Sequence, residues 1–169
     1  MHFYSGVDSG PGAEPATALA AYQQVYAASW KEAEPYPAFI PTLIQRLAED
    51  GSLRLGLLSL DGQPAAAQIW LLAGGRATIF KLAYDEAQSR WSVGSLLTAW
   101  MFRQVLEHEP VAEIDFGRHD DPYKRDWLPE RREHWGLIAY RRDRLGGLAI
   151  GLRHALAPRL KRLWQQPRD

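Results

Sequence analysis

Three apolar runs, residues 53–60, 64–72 and 77–84, are separated by Asp61-Gly62 and Gly74-Gly75. Asp-Gly and Gly-Gly supply the positive φ angles of tight hairpins, so the spacing predicts three consecutive antiparallel strands. The third run leads straight into a helix. Residues 79–84, IFKLAY, carry Lys81 as their only charge, as expected of a strand largely buried in a sheet. A polar loop follows over 85–91. Ser92 then stands where an N-cap belongs, and Val93, Leu96, Leu97, Trp100, Met101 and Val105 recur at helical spacing until Glu109-Pro110 stops the helix. A strand that delivers the chain to the open N–H groups of a helix start makes an anion site, because those donors and the helix dipole face the loop. Gly94, with no Cβ, lets the backbone approach a phosphate closely.

Around this centre, HFYSGV at the N-terminus reads as a short strand and the Gly/Pro-rich stretch 8–15 as a mobile loop. Leu19, Tyr22, Val25, Tyr26 and Trp30 share one helical face. Residues 32–37 break that helix, and Phe39, Ile40, Leu43, Ile44 and Leu47 mark a second one ending near Asp50-Gly51. After the Ser92 helix come a short strand over 111–116, a charged segment over 117–133 with a short helix, and a strand over 135–140. Gln68 and Trp70 are read as facing opposite sides of their strand. Lys81 needs a polar cleft or a carboxylate partner, since a lone charge in a buried strand is costly.

Composition narrows the function. Twenty Lys/Arg balance twenty Asp/Glu, so nothing global points to nucleic acid. Charge is uneven, however: from Arg141 onward eight Lys/Arg face two Asp/Glu. There is no cysteine, which excludes disulfides, thiolate metal sites and a cysteine nucleophile. Five scattered histidines lack metal-binding spacing, so no metal is expected. No G-x-S-x-G elbow or P-loop occurs. Without a signal pattern, or an apolar run near the roughly 20 residues of a membrane span, a cytoplasmic protein is expected.

The strand, loop and helix over 79–101 resemble the pyrophosphate loop of the GNAT acyltransferase superfamily, Q/R-x-x-G-x-G/A. The frame falls on Ser89-Arg90-Trp91-Ser92-Val93-Gly94, so Ser92 stands for the first glycine and Arg90 for the displaced basic residue. The segments SWKEAEPYP, LRLGLLSLDGQPAAAQIWLL, IFKLAYDEA, SVGSLLTAW and DFGRHDDPYKRDW, in this order, resemble the FemAB-like, CelD/BcsL-type acetyltransferase domain over residues 21–140. The resemblance implies an α/β GNAT fold: one mixed, mostly antiparallel sheet flanked by helices, here with an added C-terminal helix. The implied organisation is a strand and flexible loop over 1–18, a GNAT-like domain over 19–141 and a basic amphipathic tail over 142–169. It implies transfer of an acyl group, most simply acetyl from acetyl-CoA, to an amine or hydroxyl by direct attack in a ternary complex, with cell-envelope or polysaccharide metabolism as the setting. Ser92, Val93, Gly94 and Ser95 would hold pyrophosphate beside Arg90, while Leu82, Ala83 and Tyr84 would bond the pantetheine arm through their backbone. Relatives of this type commonly have two GNAT-like halves, and this chain resembles the C-terminal one, so a second half or a second copy is an expected partner.

Acyl transfer needs a base for the nucleophile, donors for the oxyanion and an acid for the thiolate. In DFGRHDDPYKRDW the candidates are Asp120 or Asp121 as base, Tyr123 as acid and Lys124 as an electrostatic contact. Each has a plainer reading. Asp120-Asp121-Pro122 is also a helix start, Tyr123 also an aromatic anchor and Lys124 also a solvated cation; His119, the histidine of this segment, is of a type that titrates near neutrality and reads more readily as a structural or solvated loop residue than as a catalytic one. Trp30 suits core packing, whereas Lys31, Glu32 and Glu34 suit acceptor contacts. Two other functions stay open: a non-catalytic GNAT-fold binding module of a polysaccharide system, and a FemAB-like aminoacyltransferase. The tail, LGGLAIGLRHALAPRLKRLW, reads as a helix interrupted near Pro158, ordered by contact with protein or by peripheral contact with an anionic membrane.

Overall fold

The computed structural model describes residues 1–5, 15–141, 143 and 145–164. The order is β1 (His2–Ser5), α1 (Pro15–Ala27), α2 (Phe39–Glu49), β2 (Leu53–Leu60), β3 (Gln63–Ala73), β4 (Arg76–Tyr84), a 3-10 helix (Glu86–Trp91), α3 (Val93–His108), β5 (Glu113–Asp115), α4 (Pro122–Trp127) and α5 (Leu145–Trp164). The chain divides into two compact units, Met1–Lys124 and Arg125–Asp169. The expected loop over 8–15 lies outside the described residues except for Pro15, which opens α1.

The first unit is built on a five-stranded sheet in the order β1-β2-β3-β4-β5. The expected meander forms β2, β3 and β4, antiparallel throughout, and β1 adds to its outer edge. β5 returns parallel to β4, pairing Arg76 with Glu113, Ala77 with Ile114 and Thr78 with Asp115. This is the mixed, mostly antiparallel α/β sheet flanked by helices that the resemblance implies.

Strand alternation decides which helix covers which face. Ala67 and Ile69 of β3 join Leu53, Leu55 and Ala83 in a core closed by Tyr22 and Val25 of α1 and by Ile40 and Ile44 of α2. The intervening Gln68 and Trp70 therefore face the other side, where α3 lies. Trp70 meets Phe102 edge-on with centroids 5.3 Å apart. Gly56 of β2 has no room for a side chain, because Met101 Sδ occupies the place of its Cβ. Arg54 of β2, almost wholly buried, pairs with Glu109 at the end of α3 and donates to the carbonyls of Gly51 and Leu53, both at 2.7 Å. That ion pair ties the far end of α3 to the sheet.

Four expectations are corrected. Gln68 and Trp70 share a face, as residues two apart on a strand must, and the indole donates to the Gln68 amide oxygen at 2.9 Å. The polar loop over 85–91 is a 3-10 helix started by Asp85, whose Oδ1 accepts from the Ala87 N–H at 3.0 Å. Residues 135–140 form no strand: Trp135 is 90% and Leu137 95% exposed, and no strand among the described residues pairs there. An apolar run reads as β only where a neighbouring strand takes it up, and the described sheet ends at β5. Finally, α5 runs through Pro158. The proline forgoes one backbone hydrogen bond, and the helix is continuous across it. Within this second unit Tyr140 packs on His154 with centroids 5.8 Å apart, and Arg141 pairs with Asp143.

Candidate active site

β4 continues six residues beyond its pairing with β5, so from Ile79 to Tyr84 its outer edge has no strand partner among the described residues. Pairing with β3 shifts register here: Ile69 faces Lys81 and Trp70 faces Ile79, which leaves Phe80 as the extra residue of a bulge. The Asp85 N–H donates to Ala65 O at 2.9 Å, so by antiparallel alternation the groups of Ala83 turn to β3 while those of Leu82 and Tyr84 turn to the open edge. Of the three residues expected to bind through their backbone, Leu82 and Tyr84 present it outward. Ala83 does not, and its side chain is in the core.

The helix start lies beside this edge. Ser92 is not a side-chain cap: it takes φ 51° and ψ 36°, in the left-handed region, and its hydroxyl caps nothing. Its N–H closes the 3-10 helix on Ser89 O at 2.9 Å, and its carbonyl accepts from Leu96 at 3.0 Å. The turn between two helices forces the left-handed conformation, which swings the side chain away from the helix donors. The N–H groups of Val93, Gly94 and Ser95 consequently point into the loop with no side-chain cap. Val93 is buried by its side chain, Ser95 is exposed, and Arg90 is exposed with its guanidinium 5.0 Å from the Trp91 ring.

A buried polar chain fixes this first turn on the sheet. Gln68 Nε2 donates to Thr98 Oγ1 at 2.6 Å, and Thr98 Oγ1 donates to Gly94 O at 2.8 Å. The Tyr84 ring covers Gly94 and stacks on Trp30 with centroids 4.6 Å apart. Trp30 is thus an aromatic contact at the site and not a core residue. Its side chain is 47% exposed.

The segment after β5 is held by its own polar groups. Gly117 N–H donates to Asp115 Oδ1 at 2.7 Å, and the Phe116 ring seats Tyr123 edge-on at 5.9 Å. Lys124 lies 3.0 Å from Asp121 and donates to Arg118 O at 2.6 Å and to His119 O at 3.3 Å. Its ammonium staples the 118–121 loop instead of projecting into solvent. Asp120 and Asp121 are exposed, and His119 has φ 73°. Burial, followed by the Asp121 charge, raises the Tyr123 pKa.

Lys81 finds its carboxylate in Glu34. The Tyr26 hydroxyl donates to Glu32 O at 3.1 Å and shares its single proton with the same carboxylate. The hydrogen bond from Lys81 holds the Glu34 carboxyl below the usual range, while burial, followed by the bond to Glu34, pushes the Tyr26 hydroxyl up to about 12. Beside them Tyr22 Oη is buried with no hydrogen-bond partner among the described residues, and burial raises its pKa. Reading the sequence missed Tyr26, Thr98 and the Trp30–Tyr84 stack. Only the odd position of Lys81 signalled the carboxylate.

The site is thus an unpaired strand edge beside an uncapped helix start, with a helix pair on the opposite face of the sheet. Over residues 7–125 the chain matches the acetyltransferase (GNAT) domain and belongs to that family, whose members are acetyltransferases that use acetyl-CoA. No curated protein matches it in sequence. Among solved structures it resembles an aminoglycoside antibiotic 6'-N-acetyltransferase from Acinetobacter haemolyticus, with TM-score 0.54, 11% identity and coverage of 84% of this chain and 99% of that one. It also resembles a possible acetyltransferase from Clostridium difficile 630, with TM-score 0.54, 10% identity and coverage of 83% and 96%. Against an Escherichia coli ribosomal-protein alanine N-acetyltransferase the TM-score is 0.45 at 18% identity, and the match covers 63% of this chain and 59% of that one. Among the described residues no helix is long and apolar enough to cross a membrane, and no cluster of three or more His, Asp or Glu could hold a metal ion.

Proposed function

We propose that this chain transfers acetyl from acetyl-CoA to an amine or hydroxyl acceptor by direct attack in a ternary complex. The observation that carries this reading is the open edge of β4, where Leu82 and Tyr84 offer backbone groups next to the free N–H groups of Val93, Gly94 and Ser95. Those donors suit the pyrophosphate, with Arg90 adding positive charge and Ser92 supplying the turn that aims them. When bound, acetyl-CoA supplies an acetyl thioester. Asp120 or Asp121 accepts the nucleophile's proton, and Tyr123, kept protonated by its raised pKa, donates to the departing sulfur. Lys124 keeps the loop that bears both aspartates in place.

The left-handed Ser92 favours an enzyme over a non-catalytic module, since the serine reproduces the backbone a glycine would give. The FemAB-like and CelD-type likeness supports a role in cell-envelope or polysaccharide metabolism in the cytoplasm, with a second GNAT-like half or copy as partner. Titration calorimetry with acetyl-CoA tests the reading. Saturable binding that is weakened by Gly94→Leu in a folded protein is expected, and no binding at millimolar ligand overturns it.

A further inference from the structure

On the α1–α2 face, where β4 loses its outer partner, Lys81, Glu34, Tyr26 and Lys31 form one electrostatic neighbourhood. Three of the four are satisfied within it. Glu34 is engaged by both Lys81 and Tyr26, and the Lys81 ammonium lies 5.7 Å from the Tyr26 ring centroid. Lys31 differs. It is partly buried, its ammonium stands 5.2 Å from the Trp30 ring centroid, and no carboxylate among the described residues comes within 4.0 Å of it. Its longer-range carboxylates are already committed: Glu34 to Lys81, and Asp121 to Lys124 at 3.0 Å. Setting the Asp121–Lys124 pair aside as neutral, two ammonium groups share one carboxylate. Burial, and after it the Lys81 charge, pushes the Lys31 pKa down, so the site disfavours its own cation.

Lys31 also stands next to the join between the two faces. Its neighbour Trp30 stacks on Tyr84, the last residue of β4, whose ring covers Gly94 at the helix start. Lys31 is therefore linked to the helix start through the Trp30–Tyr84 stack. We propose that Lys31 anchors an anionic group, a carboxylate or a phosphate monoester, on the acceptor substrate, so that the acceptors are amines or hydroxyls that carry negative charge. One such charge balances the two lysines against Glu34, at an ammonium that is already partly buried beside the Trp30 ring. The word acceptor rests on the transferase reading; the anion site itself does not.

The test uses matched pairs that differ in one charge: alanine against alaninamide, and glucosamine 6-phosphate against glucosamine. Each is titrated by calorimetry into the full chain, alone and saturated with CoA, for the wild type, Lys31→Arg, Lys31→Gln and Lys31→Glu, with thermal melts confirming the fold. The wild type is expected to bind the anionic member of at least one pair about tenfold more tightly. That preference persists in Lys31→Arg, disappears in Lys31→Gln and reverses in Lys31→Glu, with CoA affinity the same in all four. Which pair responds distinguishes carboxylate from phosphate. Equal or absent binding of both members of each pair, or a preference that survives Lys31→Glu, overturns the proposal. If CoA fails to bind while the charge preference follows Lys31, the transferase reading falls and the anion site stands; CoA binding without charge preference gives the converse.

Discussion

A Cβ placed on Gly94 would stand 2.9 Å from Cδ1 of Tyr84, closer than such atoms pack. The first turn of α3 and the last residue of β4 therefore touch through a position that admits only hydrogen. Gly94→Ala must displace the Tyr84 ring, and with it the Trp30 stack. We expect a loss of about 1–3 kcal/mol in denaturant unfolding, the range for overpacking a fitted site, with weaker acetyl-CoA binding. Adding Tyr84→Ala should recover part of the stability. An unchanged unfolding midpoint in the single variant would show that the ring moves without cost.

Ser92 holds a left-handed conformation that L residues adopt at a cost of about 1–2 kcal/mol. Ser92→Gly removes that cost, and the more flexible unfolded chain offsets part of the gain. The expected net is a stabilisation of about 0.5–1 kcal/mol with acetyl-CoA affinity retained. Ser92→Val, branched at Cβ, should destabilise. Equal melting temperatures for the three proteins would mean that the loop relaxes to another conformation.

Much of the sheet is legible in the chain because Asp61-Gly62 and Gly74-Gly75 permit little other than hairpins between apolar runs. The site is less so. Ser92 stood out as an anomaly in a glycine slot, yet a cap and a left-handed turn ask for the same small polar residue, and only the 3-10 helix before it decides between them. The bulge at Phe80 leaves no mark in composition, since register is a property of two strands. Lys81 announced that it needed a carboxylate. That Glu34 would meet it depends on how the chain turns after α1, which no local pattern states. The apolar run over 135–140 misled because strand propensity describes a fit to neighbours that the described sheet does not offer.

Arg54 and Glu109 pair with side chains only 10% and 13% exposed. Removing the carboxylate leaves a nearly buried guanidinium with two carbonyl bonds and no counter-ion. Glu109→Ala is expected to cost about 3 kcal/mol, the lower end for breaking a buried pair. Replacing Arg54 with Leu in the same protein should recover part of that, because the stranded charge goes too. A double variant no better than Glu109→Ala alone would place the cost in α3 itself.

Tyr22 Oη is buried without a partner among the described residues, so its desolvation is not repaid by a hydrogen bond. Tyr22→Phe keeps the ring among Val25, Ile40 and Ile44 and removes the hydroxyl. A change between zero and about 1 kcal/mol in favour of the variant is expected in chemical denaturation. A loss above that range would reveal a hydrogen bond to an internal water.

The Glu34, Lys81 and Tyr26 group predicts how stability depends on pH at both extremes. The Glu34 pKa is depressed in the folded chain, chiefly by the Lys81 hydrogen bond. Its contribution is therefore present above the unfolded carboxylate value of about 4.3 and is lost as pH falls through the lower folded value. Tyr26 behaves in the opposite sense. Its hydroxyl is raised from 10.0 to about 12 by burial and by the bond to Glu34, so below pH 10 its contribution is complete, and it is lost as pH rises towards 12. Denaturant melts across the pH range should show both limbs in the wild type. Glu34→Gln should flatten the acid limb, lower stability near neutrality by stranding Lys81, and shorten the alkaline limb. Tyr26→Phe should remove the alkaline limb and leave most of the acid one. If Glu34→Gln left the alkaline limb intact, the tyrosine would be held by burial alone, and the shared carboxylate would not be what couples them.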